Sequence, residues 1–456
     1  LWTSWAKSAG DPDVAMTYWL ADGAPTGIRE HAVNTGIFPA ADPKDKVADK
    51  RDLQYWHDGY TNYRSADLDD ATQRELDKLV SHQFVKEFSS ISDVRRFLGE
   101  DPVLCKLALI VKDTPEGKKY RLILDCKASG TNSHAEQRER ILLPMVTDVI
   151  QDSLAMLCDT NTHGVTYLVI DFSDAFYNIP LLPAERCFYV VFFRGRWYCL
   201  LRVVMGSRNG PQLWGRAAAM AGRLAQSTVD PAEARIQIFV DDPIVAIKAD
   251  PARTKILITI IMLVWLALGL RLAYHKGQWG PSVTWVGHTL SATKKQVTAT
   301  IKEDFLVDFK AKTDGILKSN VLSLDVLRSY AGSANHIARL LWSWRPFLDE
   351  LWGALYYTGA SRAPPNCVWA SQVSQALQWF LLFLDGHRGQ LIRIWDVAAY
   401  AAPSIQVLFV FDASIYGLGG YLVMSGQIVA WFASALDKND EKMFQHSIGD
   451  DRGQQT

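Results

Sequence analysis

Two strand-like runs in this chain end on carboxylates. VTYLVID (165–171) is almost wholly apolar and β-branched, as a central strand covered on both faces would be, and its last residue is Asp171. RIQIFVDD alternates instead, with Ile236, Ile238 and Val240 on one face, Gln237, Phe239 and Asp241 on the other, and an acidic pair, Asp241 and Asp242, at its tip. If the two runs lie side by side, three negative charges converge, which is unfavourable unless cations meet them. Hard divalent cations with oxygen ligands resolve the repulsion, and two such ions held by carboxylates and substrate phosphates are the usual arrangement for phosphoryl or nucleotidyl transfer. A single Asp-Asp after a strand also reads as a solvated turn, so the pair gains its meaning only from Asp171 and the surrounding motifs.

With 456 residues, 48% of them hydrophobic and 21% charged, the chain has the composition of an ordinary globular protein with mass enough for several domains. Its net charge of -1 gives no global basic signature, so any contact with nucleic acid must come from local patches. Cys105, Cys126, Cys158, Cys187, Cys199 and Cys367 form no CxxC pair, which suggests neither a zinc site nor a disulfide framework and leaves an intracellular setting, cytoplasm or nucleus, as the expectation. The opening LWTSWAKSAG carries no secretion signal, and with the closing DRGQQT it reads as part of a longer polypeptide. Between Lys255 and Arg271 runs ILITIIMLVWLALGL, shorter than the roughly 20 apolar residues a membrane span needs, so a buried helix is expected and no membrane partner.

Residues 1–65, rich in Trp, Gly, Pro and Asp, read as an irregular leader, and 68–97 as helical. KLALIVKD and YRLILDC, joined at TPEGKK, read as a hairpin with a basic tip, and ILLPMVTDVIQDSLAML as a helix. RCFYVVFF and RWYCLLRVV form a second strand pair turning at Arg194 and Gly195, followed by the loop MGSRNGP and the helix QLWGRAAAMAGRLAQ. Residues 300–395 read as mostly helical and dense in tryptophan; IQVLFVFDAS, GGYLVMSG and QIVAWFAS then form three strand-like runs.

Several blocks, in this order, resemble the fingers and palm of retroelement reverse transcriptases: KYRLILDCKASGTN, which looks like the fingers motif, then LVIDFSDAFYNIPL, RVVMGSRNGPQLWGR, FVDD and LGLRLAYHKGQWGPSVTWVGHTL. Five ordered blocks are far more specific than any lone motif. The resemblance implies an α+β right-hand polymerase with an antiparallel palm sheet. Its parts would be fingers at 66–165, a palm at 166–295 with a fingers portion around 182–204, and a helical thumb or connection at 296–400. It implies RNA-directed DNA synthesis on a primed RNA or DNA template from deoxynucleoside triphosphates, with two Mg²⁺ ions, or Mn²⁺ in their place.

The residue roles follow from the same resemblance. Asp171, Asp241 and Asp242 would hold the metals, with the Phe172 backbone carbonyl as a further ligand. Phe176 would be a steric gate against a ribose 2′-hydroxyl, or else a plain core aromatic. Arg121 would grip the triphosphate through its fork of N–H donors, with Lys112 or Lys119 assisting or simply solvated on the hairpin. Lys276 would protonate the pyrophosphate leaving group, the bland alternative being a surface lysine.

Two departures from the family pattern stand out. Met205 precedes Gly206 where an amide or aromatic side chain is common; a thioether packs on a sugar but cannot hydrogen bond like an amide. Pro243 follows the acidic pair and should stiffen the hairpin without breaking it. Arg328, Arg339 and Arg345 are interleaved with Trp342 and Trp344, either as a surface that tracks nucleic acid or, the favoured reading, as helical core. Residues 401–456 resemble the first strands of a ribonuclease H domain, with Asp412 at its first metal position; the further acidic residues that family needs are not in the sequence, so no ribonuclease H activity is expected. A catalytically silent retroelement remnant that still binds nucleic acid is the alternative to a polymerase. Oligomeric state is not legible.

Overall fold

A computed structural model describes residues 1–41, 51–67, 70–114, 117–158, 163–356, 363–387, 389–403, 405–444 and 447–450. Residues 68–69 at the start of the expected helical stretch, 115–116 in the TPEGKK turn and the closing 451–456 lie outside the described residues. The chain forms two compact units, Leu1–Val397 and Ala398–Thr456.

The acidic runs meet in one four-stranded antiparallel sheet, ordered Ala234–Phe239, Asp242–Ile247, Thr166–Val169, Gln278–Gly280. Alternation along these strands divides the hydrophobic side chains between two cores. Leu168, Ile170, Val245 and Ile247, with Ile236, Ile238 and Val240 at its margin, face one cluster. Tyr167, Val169, Ile244 and Ala246, with Phe239 beside them, face the other. The sheet is thus covered on both faces, and its strand tips are the part left to meet a ligand.

One cover is the helix Gly210–Gln226, whose Leu213, Trp214, Ala217, Ala218 and Ala221 are buried. A second is Pro251–Ala267, started by the Asp250 carboxylate, which accepts from the backbone N–H groups of Ala252 and Arg253. This helix buries Leu257, Ile261, Val264 and Trp265, and among the described residues no helix is long and apolar enough to cross a membrane. The opposite core is closed by the helices Glu303–Leu317, Leu324–Leu340, Arg345–Tyr356 and Ser374–Leu384 around Phe309, Tyr330, Trp344 and Phe380. Trp344 stacks on Phe380 with ring centroids 4.4 Å apart, whereas Trp342 lies on the surface under the guanidinium groups of Arg345 and Arg393. Burying a ring of this size contributes about 2–3 kcal/mol, so the core reading holds for Trp344 and fails for Trp342.

The stretch 68–97 is not helical throughout. Helices Ala71–Ser81 and Ile91–Leu98 flank a strand, Val85–Phe88, that pairs antiparallel with Arg196–Leu200. Cross-strand pairing overrode the helical period, because VKEF is short enough for its partner to decide its conformation. Arg194 (φ +46°) and Gly195 (φ +78°) close the Val190–Phe193/Arg196–Leu200 hairpin, the two positive φ angles a two-residue turn requires.

Residues 1–41, expected to be irregular, hold the helices Trp2–Ser8, Val14–Tyr18 and Trp19–Asp22 and pack tightly. Ala6, Met16, Trp19 and Ala24 enter the first core, and two ion pairs tie the segment to the helix Gly210–Gln226. The Arg216 guanidinium donates to Asp13 at 2.8 Å with both side chains buried, and Arg223 donates to Asp11 at 2.7 Å. The second unit holds one antiparallel sheet, Val407–Ser414, Gly417–Met424 and Gln427–Ala435, followed by the short helix Lys438–Phe444.

Candidate nucleotidyl-transfer site

Asp171 follows the strand Thr166–Val169, whose neighbour Asp242–Ile247 runs the opposite way with Val169 opposite Ile244. Continuing that ladder, Ile170 N–H donates to the Pro243 carbonyl at 3.2 Å and Phe172 N–H to the Asp241 carbonyl at 2.8 Å. The register therefore delivers Asp171 to the acidic turn. Pro243 sits opposite Ile238 within the hairpin, lacking a donor but still lending its carbonyl.

The convergence is visible in the electrostatics. Burial, then the Asp171 charge, raises Asp241 above the usual carboxylate range. Burial first, then Asp241 and Asp171, pushes Asp242 up to about 6. The Lys276 ammonium, presented by the short helical turn Tyr274–Lys276, forms an ion pair with Asp171 and opposes both shifts. Arg121 acts in the same direction on Asp241.

Among the described residues no three His, Cys, Asp or Glu side chains form a ready-made metal cage. The donor set nevertheless suits hard cations: all three side chains offer carboxylate oxygens, burial and then neighbouring charge oppose ionisation of two, and an ammonium neutralises the third. Phe172 adds its backbone to this edge, while its ring is buried between Trp214 and Trp265.

Beside the carboxylates lies a cavity of about 330 Å³, lined by Arg121, Phe176, Met205 and Asp241 among others. The structure thus brings together four residues singled out from separate motifs. Gly206 adjoins it at φ +112°, where an added Cβ would stand 2.5 Å from the Leu124 carbonyl oxygen. Asn132 clamps the same loop, donating to the Gly206 carbonyl at 2.9 Å and accepting from Arg208 N–H at 2.9 Å.

Lys112 and Lys119 do not line the cavity; they face one another across the hairpin of Lys106–Thr114 and Gly117–Asp125, both exposed. Asp412 belongs to the second unit, where its carboxylate accepts from the next backbone N–H at 2.9 Å. Glu75, Lys78 and His82, from the helix Ala71–Ser81 and the residue after it, also line the cavity. Their sequence signal is only the polar face of an amphipathic helix, which does not say what that face meets.

The site is thus the tip of an antiparallel sheet, an acidic hairpin beside a strand-end aspartate, next to a cavity that an arginine lines. Residues 111–290 match the family described as reverse transcriptase (RNA-dependent DNA polymerase). Among solved structures, a foamy viral protease-reverse transcriptase (dRH) in complex with double-stranded DNA is similar at 15% identity and TM-score 0.51, over 88% of this chain and 61% of that one. The same foamy viral protein in complex with an RNA/DNA hybrid aligns at 16% identity and TM-score 0.49, over 89% of this chain and 48% of that one. The chain therefore spans about three fifths of the first neighbour's length, and the likeness at this identity speaks to fold. No curated protein matches the sequence.

Proposed function

We propose that this protein is an RNA-directed DNA polymerase of a retrotransposon-like element, extending a primer 3′-hydroxyl with deoxynucleotides on an RNA or DNA template. The observation that carries the reading is the meeting of Asp171, Asp241 and Asp242 beside a cavity that Asp241 lines together with Arg121, Phe176 and Met205, within the matched segment. In this reading residues 66–165 act as fingers, 166–295 as palm with a fingers portion around 182–204, and 296–400 as thumb or connection.

In the reaction the primer 3′-oxygen attacks the α-phosphorus of the incoming nucleotide, a new P–O bond forms, and the bond to pyrophosphate breaks. Asp171, Asp241, Asp242 and the Phe172 carbonyl would hold two Mg²⁺ ions, which when bound lower the pKa of the 3′-hydroxyl and neutralise charge on the departing pyrophosphate. Arg121 grips triphosphate oxygens through its planar fork of donors. Phe176 lies against the sugar and excludes a 2′-hydroxyl, and Met205 packs on the sugar through its thioether. Lys276, half exposed beside Asp171, delivers a proton to the leaving group. The sheet of residues 401–456 is the start of a ribonuclease H-like domain that carries Asp412.

The test is extension of a labelled DNA primer on RNA and on DNA templates, with and without Mg²⁺ or Mn²⁺, beside Asp171→Asn. Cation-dependent extension by the wild type alone supports the proposal. No extension on either template would make the chain a silent remnant.

A further inference from the structure

The turn that carries the acidic pair is held in a conformation its own sequence disfavours. Val240 sits at φ +56°, in the left-handed region where a β-branched side chain crowds its backbone. Three consecutive carbonyls of the turn are each captured by a donor from a different element. The Val240 carbonyl accepts from the Trp214 indole Nε1–H at 2.8 Å, the Asp241 carbonyl from Phe172 N–H at 2.8 Å, and the Asp242 carbonyl from the Trp285 indole Nε1–H at 2.9 Å.

The two indoles belong to different cores and are fully buried. Trp214 comes from the helix Gly210–Gln226 and meets Phe172 edge-on, with centroids 5.9 Å apart. Trp285 comes from the strand Ser282–Trp285 and meets Phe239 edge-on at 6.2 Å. Each ring therefore touches one flank of an acidic segment while its N–H holds the turn. A buried tryptophan needs some acceptor for its N–H, and core filling alone would be served by many carbonyls. Here both acceptors flank Asp241, one of them on the strained residue itself, and a strained backbone persists only where its surroundings over-determine it.

We infer that Trp214 and Trp285 are positioning residues: their indole N–H groups hold the left-handed turn at Val240 and so set Asp241 and Asp242 against Asp171. This rests on the polymerase reading for its kinetic consequence but not for its geometric one.

The experiment is Trp214→Phe and Trp285→Phe in the full chain, each with and without Val240→Gly, which accepts a positive φ without strain. Primer extension gives kcat and the nucleotide KM, and hydrogen exchange follows the Phe172 amide that donates to Asp241. Loss of one hydrogen bond to a buried carbonyl predicts kcat lower by about tenfold with KM within about twofold, and Phe172 exchange faster by about tenfold. Val240→Gly is expected to return Trp214→Phe to within about threefold of the Val240→Gly protein alone, since the strain the indole held no longer exists.

Rings that only fill the cores would lower the melting temperature yet leave kcat and Phe172 exchange within about twofold of wild type below the melt, and that result overturns the inference. Failure of Val240→Gly to restore the variant overturns it too. If Trp214→Phe does not fold, Trp285→Phe tests the same claim from the other core. If the wild type extends no primer, the polymerase reading fails and Phe172 exchange alone decides the clamp.

Discussion

Replacing Gly206 with alanine tests whether the loop ahead of the helix Gly210–Gln226 is fastened to the basic hairpin. At φ +112° an L side chain is strained, and its Cβ would stand 2.5 Å from the Leu124 carbonyl oxygen, a backbone atom that cannot swing aside. Holding the conformation costs on the order of 1–3 kcal/mol. If the loop retreats instead, it loses the two bonds to Asn132 at about 1 kcal/mol apiece. The protein takes the cheaper of the two routes, so the cost is roughly 1–2 kcal/mol, or about 5- to 30-fold in an equilibrium constant. Met205 on this loop and Arg121 on the hairpin line one cavity, so the cost should fall on nucleotide binding. Single-nucleotide incorporation should show a KM raised by about 5- to 30-fold, with a melting temperature only a few degrees lower because Met205 lies at the surface. A folded Gly206→Ala protein with KM within about threefold of wild type would refute the idea that the loop and hairpin build one nucleotide pocket.

Three further perturbations separate site from scaffold. Lys276→Met removes the ammonium on Asp171, so Mn²⁺ titrated alone should bind several-fold tighter while turnover falls; unchanged Mn²⁺ affinity would show that the ion pair does not compete with metal. Burial, then the neighbouring His336, lowers His288 to about 4. An unfolded histidine takes up its proton near 6.5, so stability is full above that pH and falls by up to roughly 3 kcal/mol towards pH 4. His288→Phe should make the slope of unfolding free energy between pH 4 and 6.5 shallower by about one proton, and an unaltered slope would contradict the assignment. Asp13→Ala leaves the buried Arg216 with a more distant carboxylate, Glu139 at 3.6 Å, and the neutral Val33 carbonyl, which should cost about 3 kcal/mol in denaturant unfolding. A cost below about 1 kcal/mol would show that residues 1–41 do not stabilise the unit.

The catalytic candidates were legible because each is a local pattern. An apolar run ending on Asp171 and an alternating run ending on Asp241 specify strands and faces by themselves, and the register of the sheet then brings the tips together. The two-core arrangement is the same alternation read in three dimensions. What stayed hidden depends on partners far along the chain. Asp11 and Asp13 find Arg223 and Arg216 more than 200 residues away, a pairing that no spacing rule announces. The strand Val85–Phe88 exists because Arg196–Leu200 lies beside it. Lys112 and Lys119 were nominated with Arg121 because all three share a basic hairpin, yet only Arg121 reaches the cavity. The role of Trp214 was hidden by its surroundings, since a tryptophan among alanines in a helix reads only as core.

The central claim is that the three converging carboxylates perform the chemistry. Its most direct test is single-turnover incorporation of one deoxynucleotide on an RNA template by the wild type and by Asp241→Asn, with melting curves matched. The expected result is measurable incorporation by the wild type and a rate at least roughly a thousandfold lower in the variant, as loss of the proposed ligand of both metal ions would require. Equal rates in two equally folded proteins would contradict it.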